Sequence, residues 1–316
     1  MNFQQLRIVR ETARQDYNLT TVANTLFTSQ PGVSKHIKDL EDELGVEIFV
    51  RRGKRLLGLT EPGKEVLSVV ERILRDTQNV RNISNHFASR DTGSLTIATT
   101  HTQARYALPE IIKAFKAEFP KVRLVLHQGS PNEISEKLTS GEADLAIATE
   151  LPSAGAELVS IPYYTWNHAV VVPRGHPLTL LEKITLEDLV DYPIVTYHEG
   201  FTGRTAIDRR FADKGLAPDI VLSAIDADVI KTYVGVGLGI GIVASMAYDA
   251  ERDSNLVRLD ARDLFTPNTT RVALRRGTYL RSYVYAFIGK LVPGLTEERI
   301  GEIVRSEAEI AEDYVI

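Results

Sequence analysis

Apolar positions in the first ninety residues recur mostly at helical spacing. Phe3, Leu6, Ile8 and Val9 give a first helix one buried side. Leu19, Val22, Ala23 and Leu26 recur at three and four residues and define a second helix, whose start Thr20 or Thr21 would cap. Val33, Ile37 and Leu40 form the stripe of a third, with Ser29 as its cap and Pro31 in its first turn. The period then changes. Gly45 to Thr60 reads as strand, turn, strand, with Arg51, Arg52, Lys54 and Arg55 at the turn. Thr60-Glu61-Pro62-Gly63 restarts a helix, along which Val66, Val70, Ile73, Thr77, Val80, Ser84 and Phe87 alternate at four and three. Thr77 and Ser84 weaken that seam, and a helix packed on its own domain is the competing reading. Asp91-Thr92-Gly93-Ser94 reads as a hinge.

From Leu95 short apolar runs alternate with helical segments. Strands are expected at 95–98, 122–126 and 145–148, with helices over about 103–118 and 131–140. A second series has strands at 169–172, 220–224 and 240–243 and helices near 202–214 and 227–235, and strand 271–275 returns to the first. The class is α/β: mostly parallel sheets with covering helices, in two lobes with a cleft between them.

Two short helices and a tight turn fit either a helix-turn-helix or an ordinary helical hairpin with a solvated face. The basic strand-turn-strand decides for a winged helix-turn-helix. Thr28, Ser29, Gln30, Pro31, Ser34, Lys35 and Lys38 lie on or beside the open face of the third helix, and Arg51, Arg52, Lys54 and Arg55 form the wing. Gln pairs with adenine edges, Ser bonds bases or phosphate, and Lys and Arg supply charge.

Charge sharpens this picture. The net charge of −5 looks wrong for a DNA binder, but it is unevenly divided. Residues 1–90 hold 14 Lys and Arg against 11 Asp and Glu, a net of +3, and the remainder carries −8. With 316 residues, 43% hydrophobic and 25% charged, the chain is expected to fold into two or three globular domains. No run approaches the roughly 18 apolar residues of a membrane span, and the polar start lacks a secretory pattern. The absence of cysteine excludes disulfides and thiolate chemistry and fits a cytoplasmic location.

In such sheets ligands bind at strand C-terminal ends, beside helix N-termini. Those positions are rich in hydroxyls here: Thr99-Thr100-His101-Thr102-Gln103, Gln128-Gly129-Ser130, Thr149, and Gly200-Phe201-Thr202-Gly203. Neutral donors with free helix N–H groups suit a compact, fully ionised anion such as sulfate. Helix capping is the alternative for any single Ser or Thr.

The run Thr28-Ser29-Gln30-Pro31-Gly32-Val33-Ser34-Lys35, then Leu40-Glu41-Asp42-Glu43-Leu44-Gly45, Ile48-Phe49, Arg51-Arg52 and Leu59-Thr60-Glu61-Pro62-Gly63, resembles the LysR family of transcription regulators. That resemblance implies a winged helix-turn-helix at 1–60, a dimerisation helix at 61–90, and a periplasmic-binding-protein-like effector domain at 92–316. Lobe I would take about 92–163 and 268–316, and lobe II about 164–267. Ile97 to Pro109, His127 to Pro131, Ala146 to Glu150, Trp166-Asn167, Gly200 to Arg204, Asp226 to Tyr233 and Leu280 to Tyr283 resemble the CysB branch of that family. The branch controls sulfur assimilation and responds to acetylserines, sulfate or adenosine phosphosulfate. The resemblance places the anion among Thr100, Thr102, Gln103, Thr149 and Thr202, with Trp166 at the cleft, and Ser130 joins them by position. His198-Glu199 and Tyr164-Thr165 depart from the pattern, which bears on effector preference. The last twenty or so residues match poorly and receive no role.

The expected partners are double-stranded promoter DNA, a small anionic effector, RNA polymerase, and further copies of the chain in a homodimer or homotetramer. Neither cofactor nor metal is expected. Gly235 to Gly241 resembles a dinucleotide loop but lies between a helix and a strand, the reverse of what phosphate cradling needs. Asp226 and Asp228 read as helix-capping acids. A solute-binding protein without regulatory role is the alternative function. An enzyme fits least, because no thiol, metal spacing or paired catalytic groups are legible.

Overall fold

Side-chain caps decide where the first helices begin. In the computed structural model, which describes residues 1–53, 55–88, 92–151, 157–201 and 203–306, Asn2 and Gln5 form a capping box on α1 (Phe3–Arg14). Lys54, Thr202, Asp91 and the side chain of Phe87 lie outside the described residues and atoms. Asn18 caps α2 (Leu19–Thr25) by accepting the Thr20 and Thr21 N–H groups, so neither threonine is the cap. The carboxamide stands just ahead of the free N–H groups, where a residue inside the first turn cannot reach them. Ser29 caps α3 (Gln30–Leu44) through the Gly32 N–H at 3.2 Å. The hairpin β1 (Phe49–Arg52) and β2 (Arg55–Leu59) follows, with Arg52 opposite Arg55. Thr60 accepts the Gly63 N–H and opens α4 (Glu61–Ala88). Gly63 is required there: a Cβ would sit 1.9 Å from the Ile48 carbonyl oxygen.

The chain divides into two units, Met1–Ala88 and Ser89–Ile316. In the first, Ile8, Val9, Val22, Val33, Ile37, Leu40, Ile48 and Phe49 form the core. Val70 and Leu74 of α4 complete it, with Val66 and Ile73 packed at its edge. The seam therefore splits. Its first half packs on its own unit, while Val80 and Ile83 farther along stay exposed.

The second unit holds two five-stranded sheets. In one, β3 (Gly93–Thr99) pairs in parallel with β4 (Val122–Gln128) and β5 (Leu145–Ala148). In the other, β8 (Ile194–Tyr197) lies parallel to β9 (Ile220–Ala224) and β10 (Ile240–Ala244). Each sheet also carries two antiparallel strands, so both are more mixed than the sequence pattern predicts. These are β6 (Leu158–Trp166) with β12 (Asn268–Arg275), and β7 (His168–Pro173) with β11 (Leu256–Asp260). The chain crosses between lobes at Asn167 and again before Asn268. Lobe II thus starts a few residues later than expected, because β6 stays paired with β12 through Trp166 and Asn268.

The helix expected over 103–118 is interrupted. Gln103–Ala107 form a wide π-type turn in which Leu108 N–H bonds the Gln103 carbonyl, and α5 (Pro109–Glu118) follows. Pro109 lacks the N–H that would continue the ladder. α6 (Pro131–Ser140), α10 (Ser282–Leu291) and α11 (Glu297–Arg305) complete lobe I. α7 (Leu186–Leu189), α8 (Arg204–Asp213) and α9 (Ala227–Gly235) cover lobe II. Ile300, Ile303 and Val304 of α11 enter the lobe I core, so this part of the poorly matching C-terminal stretch has a packing role. The glycine run serves close packing: a Cβ on Gly239 would lie 2.2 Å from the Pro193 carbonyl oxygen.

Candidate nucleic-acid interface and anion site

The head presents its polar residues as the helix pattern predicts. Ser29, Gln30, Pro31, Lys35, Lys38, Arg52 and Arg55 are exposed, and Thr28 and Ser34 are half-buried. Gln30 and Arg55 share one concave surface with Arg14, Thr20 and Thr21. Sequence reading did not assign those last three to this face, although polar residues at the end of α1 and the start of α2 were the available signal. Ser29 spends its hydroxyl on the cap. Arg51 turns away from the wing tip: its Nη2 lies 2.6 Å from Glu41 of α3. The buried Glu41 also accepts the Ile48 and Phe49 N–H groups. Arg51 thus braces the wing against α3 while its residue stays exposed.

In the second unit, sheet ends and crossovers gather the predicted cleft residues. Thr100, Thr102, Gln103 and Trp166 are buried and Thr149 is half-buried. Gln103 Nε2 donates to Thr270 Oγ1 at 3.1 Å, and Trp166 Nε1 donates to the same oxygen at 3.1 Å and to Thr149 Oγ1 at 3.3 Å. Thr149 and Thr270 hydroxyls lie 3.3 Å apart, and Tyr164 donates to Gln103 Oε1 at 2.7 Å. Thr270 is the hub, and sequence reading missed it because it sits mid-strand rather than at a helix start. A hydroxyl has two acceptor lone pairs and one hydrogen. Thr270 accepts two bonds, so its hydrogen passes to Thr149, whose own hydrogen is then left to donate outward. Burial pushes the Tyr164 phenol up to about 12, which keeps it a donor. Among the described residues the buried Thr102 Oγ1 has no hydrogen-bond partner.

Ser130 does not join this group. Its hydroxyl closes a capping box with Glu133 on α6, as the capping alternative anticipates. Thr202 lies outside the described residues. Its neighbour Gly203, at φ 74°, packs so closely on the crossover that a Cβ would meet Asn268 Oδ1 at 2.6 Å. Glu150, beside Thr149, faces the start of α8. Burial pushes its carboxyl up, and the Thr205 hydroxyl and Gly203 N–H pull it partly back down.

A charged cluster ties the lobes together. Asp228 of α9 takes Arg105 Nε at 2.5 Å, the Tyr106 hydroxyl at 2.8 Å, and His101 Nε2 and Lys231 Nζ each at 3.5 Å. Burial alone would raise the Asp228 carboxyl, but Tyr106, Lys231 and Arg105 outweigh it and hold the carboxyl below its usual range. Asp226 is a helix cap through the Val229 N–H, as expected of it, whereas Asp228 is spent on this cluster. His101, Asp226 and Asp228 lie close enough to share a cation. Arg105 and Lys231 already compensate that charge. Among the described residues no helix is long and apolar enough to cross a membrane.

Comparison with known proteins adds a lineage to this geometry. Residues 3–64 match the bacterial regulatory helix-turn-helix protein model of the lysR family, and residues 88–295 match the LysR substrate binding domain. The chain is 58% identical over 305 residues to the HTH-type transcriptional regulator SsuR of Burkholderia cenocepacia, covering 96% of this chain and 99% of that one. It is 56% identical to the regulator cbl of Escherichia coli over the full length of both. It is also 54% identical to CysB of Burkholderia cenocepacia over 98% of this chain and 99% of the relative. The crystal structure of the cofactor-binding domain of the Cbl transcriptional regulator superposes with a TM-score of 0.65 at 51% identity, over 68% of this chain and 95% of that one. LysR regulators bind DNA and small effectors and are not enzymes. The chain belongs to the LysR family of transcription regulators, with SsuR, Cbl and CysB among its relatives.

Proposed function

We propose that this regulator controls sulfur-assimilation genes from the cytoplasm, as a homodimer or homotetramer on promoter DNA, gated by a small sulfur-linked anion. The observation that carries the sensing half is the uncharged group Gln103, Thr149, Tyr164, Trp166 and Thr270, whose internal bonds leave the Thr149 hydroxyl hydrogen to donate and include no cation. Sulfate, or the sulfate end of adenosine phosphosulfate, can accept from the Thr149 hydroxyl and from the Thr102 hydroxyl, which no described residue engages. The carboxylate of an acetylserine satisfies the same donors. The SsuR, Cbl and CysB relatives support the sulfur assignment, since the branch they belong to governs sulfur supply.

Gating follows from the crossovers. An anion drawn between the lobes favours closure, which the Asp228 cluster reinforces. A differential affinity of about 1–3 kcal/mol changes DNA affinity several-fold to a hundred-fold. Calorimetric titration of the full chain with sulfate, N-acetylserine, O-acetylserine and adenosine phosphosulfate tests the reading. At least one should bind, and Trp166→Phe should weaken it about tenfold. Heat from none of the four would refute the proposed effector class.

A further inference from the structure

Among the described residues three non-glycine positions have positive φ: Asp16 at 47°, Tyr17 at 61° and Phe27 at 51°. Asp tolerates the left-handed region because its short polar side chain bonds locally. Tyr17 is compensated by packing, since its ring meets Phe49 edge-on at 6.2 Å on the head core. Phe27 has no such compensation. It is 98% exposed, the highest value among the exposed large hydrophobic residues described.

Its backbone explains why a strained residue is needed there. The Thr28 N–H bonds the Ala23 carbonyl and the Phe27 N–H bonds the Asn24 carbonyl, a Schellman closure of α2. The residue in the left-handed position of that closure is usually glycine, for which the conformation costs nothing. Stability alone therefore selects glycine at position 27. The chain instead holds a bulky aromatic ring entirely in solvent, two residues ahead of the Ser29 cap and three ahead of exposed Gln30.

We infer that Phe27 is a DNA-reading residue: its ring packs against thymine methyl groups in the major groove beside the bases addressed by the start of α3. Apolar contact with the thymine methyl is a recognised element of base readout and needs no hydrogen bond. The turn holds the exposed ring immediately before the Ser29 cap and the first residue of α3, Gln30. This inference rests on the reading of α3 as the recognition helix.

The test uses the full chain, a promoter duplex, and the same duplex with half-site thymines replaced by deoxyuridine, which deletes only the methyl. Phe27→Gly relieves the backbone, so the head should melt at higher temperature while specific affinity falls about tenfold. Because no phosphate contact is lost, the slope of log affinity against log salt should not change. Deoxyuridine should weaken the native chain roughly fourfold per contacted methyl and leave Phe27→Gly unaffected. Phe27→Asn, which also tolerates this conformation, should behave like the glycine variant. Unchanged DNA affinity in either variant overturns the inference, including the case where transcription fails while DNA binding holds, which would assign the ring to a protein partner. Gln30→Ala serves as the control. If it loses specificity and Phe27→Gly does not, the recognition-helix reading stands and this inference alone falls. If the native chain shows no sequence preference, both fall.

Discussion

At the scale of single residues, function rests on which hydrogen atoms are left over. Thr270 accepts from Gln103 and Trp166, and this sets the direction of donation through Thr149. Thr270→Val should therefore cost affinity for the anion about tenfold while keeping the shape of the cleft. Calorimetry checks this, and undiminished affinity would remove Thr270 from the site. Glu150 offers a test by pH. Its folded pKa is raised by burial, so its neutral form is the one folding favours. Stability from this group is present below its unfolded pKa of about 4.3 and is lost as pH rises through the folded value. Glu150→Gln should raise the melting temperature at pH 7 and leave it unchanged near pH 4; equal effects at both would contradict the assignment. Of this candidate group, Gln103 and Thr149 were legible as polar residues at strand ends and Trp166 only through the family resemblance, while Tyr164 was not read as part of it. Thr270 was not, because position within a strand carries no mark of what lies across the sheet. Ser130 was over-read, because its capping partner Glu133 sits only three residues away and satisfies it locally.

At the scale of elements, caps and close approaches did most to place the chain. α6, α9, β5 and β9 fall where the periodicity predicts them, since each is bounded by a clear cap or turn. β6, β8 and β11 went unmarked: β6 carries Pro162, which argues against a strand, β8 is four residues long, and β11 mixes Arg258 and Asp260 with its apolar residues. The antiparallel strands were likewise hidden: strand direction depends on crossovers, which local pattern does not encode. Two substitutions test the head. Ser29→Ala removes the cap of α3 and should cost about 1 kcal/mol of stability, read by denaturant unfolding. Gly63→Ala drives a Cβ into the Ile48 carbonyl and should cost about 3 kcal/mol, enough to separate the wing from α4. A mild effect of Gly63→Ala would mean that this junction has more room than the structure gives it. Arg51 belongs to this scale as well. Its ion pair with Glu41 makes it part of how α3 and the wing are joined, and the basic run alone gave no sign of that.

The whole molecule joins a DNA-binding unit and a two-lobed effector-binding unit in one chain. The division of charge and the change of hydrophobic period announced both parts. The clamp on Asp228 did not announce itself, since its lobe I partners His101, Arg105 and Tyr106 lie more than a hundred residues away in sequence. Asp228→Asn keeps the side-chain shape and removes the charge that Arg105 and Lys231 face, so the free protein should open, with a larger radius of gyration in solution scattering. The native cluster should weaken in the same way as pH falls through the depressed pKa of Asp228, below the usual value near 3.9. An identical scattering profile for Asp228→Asn would mean the cluster does not hold the lobes. The central claim, that an anion held by uncharged donors sets DNA affinity, has one direct measurement. Fluorescence anisotropy of a sulfur-gene promoter duplex is titrated with the full chain, with and without sulfate or adenosine phosphosulfate, at ionic strength held constant with chloride because phosphate contacts are salt-sensitive. The native chain should change its affinity at least fivefold with one of these anions, and Trp166→Phe should lose most of the response at the same anion concentration. Native and variant chains that bind the duplex alike, whatever anion is present, would contradict it.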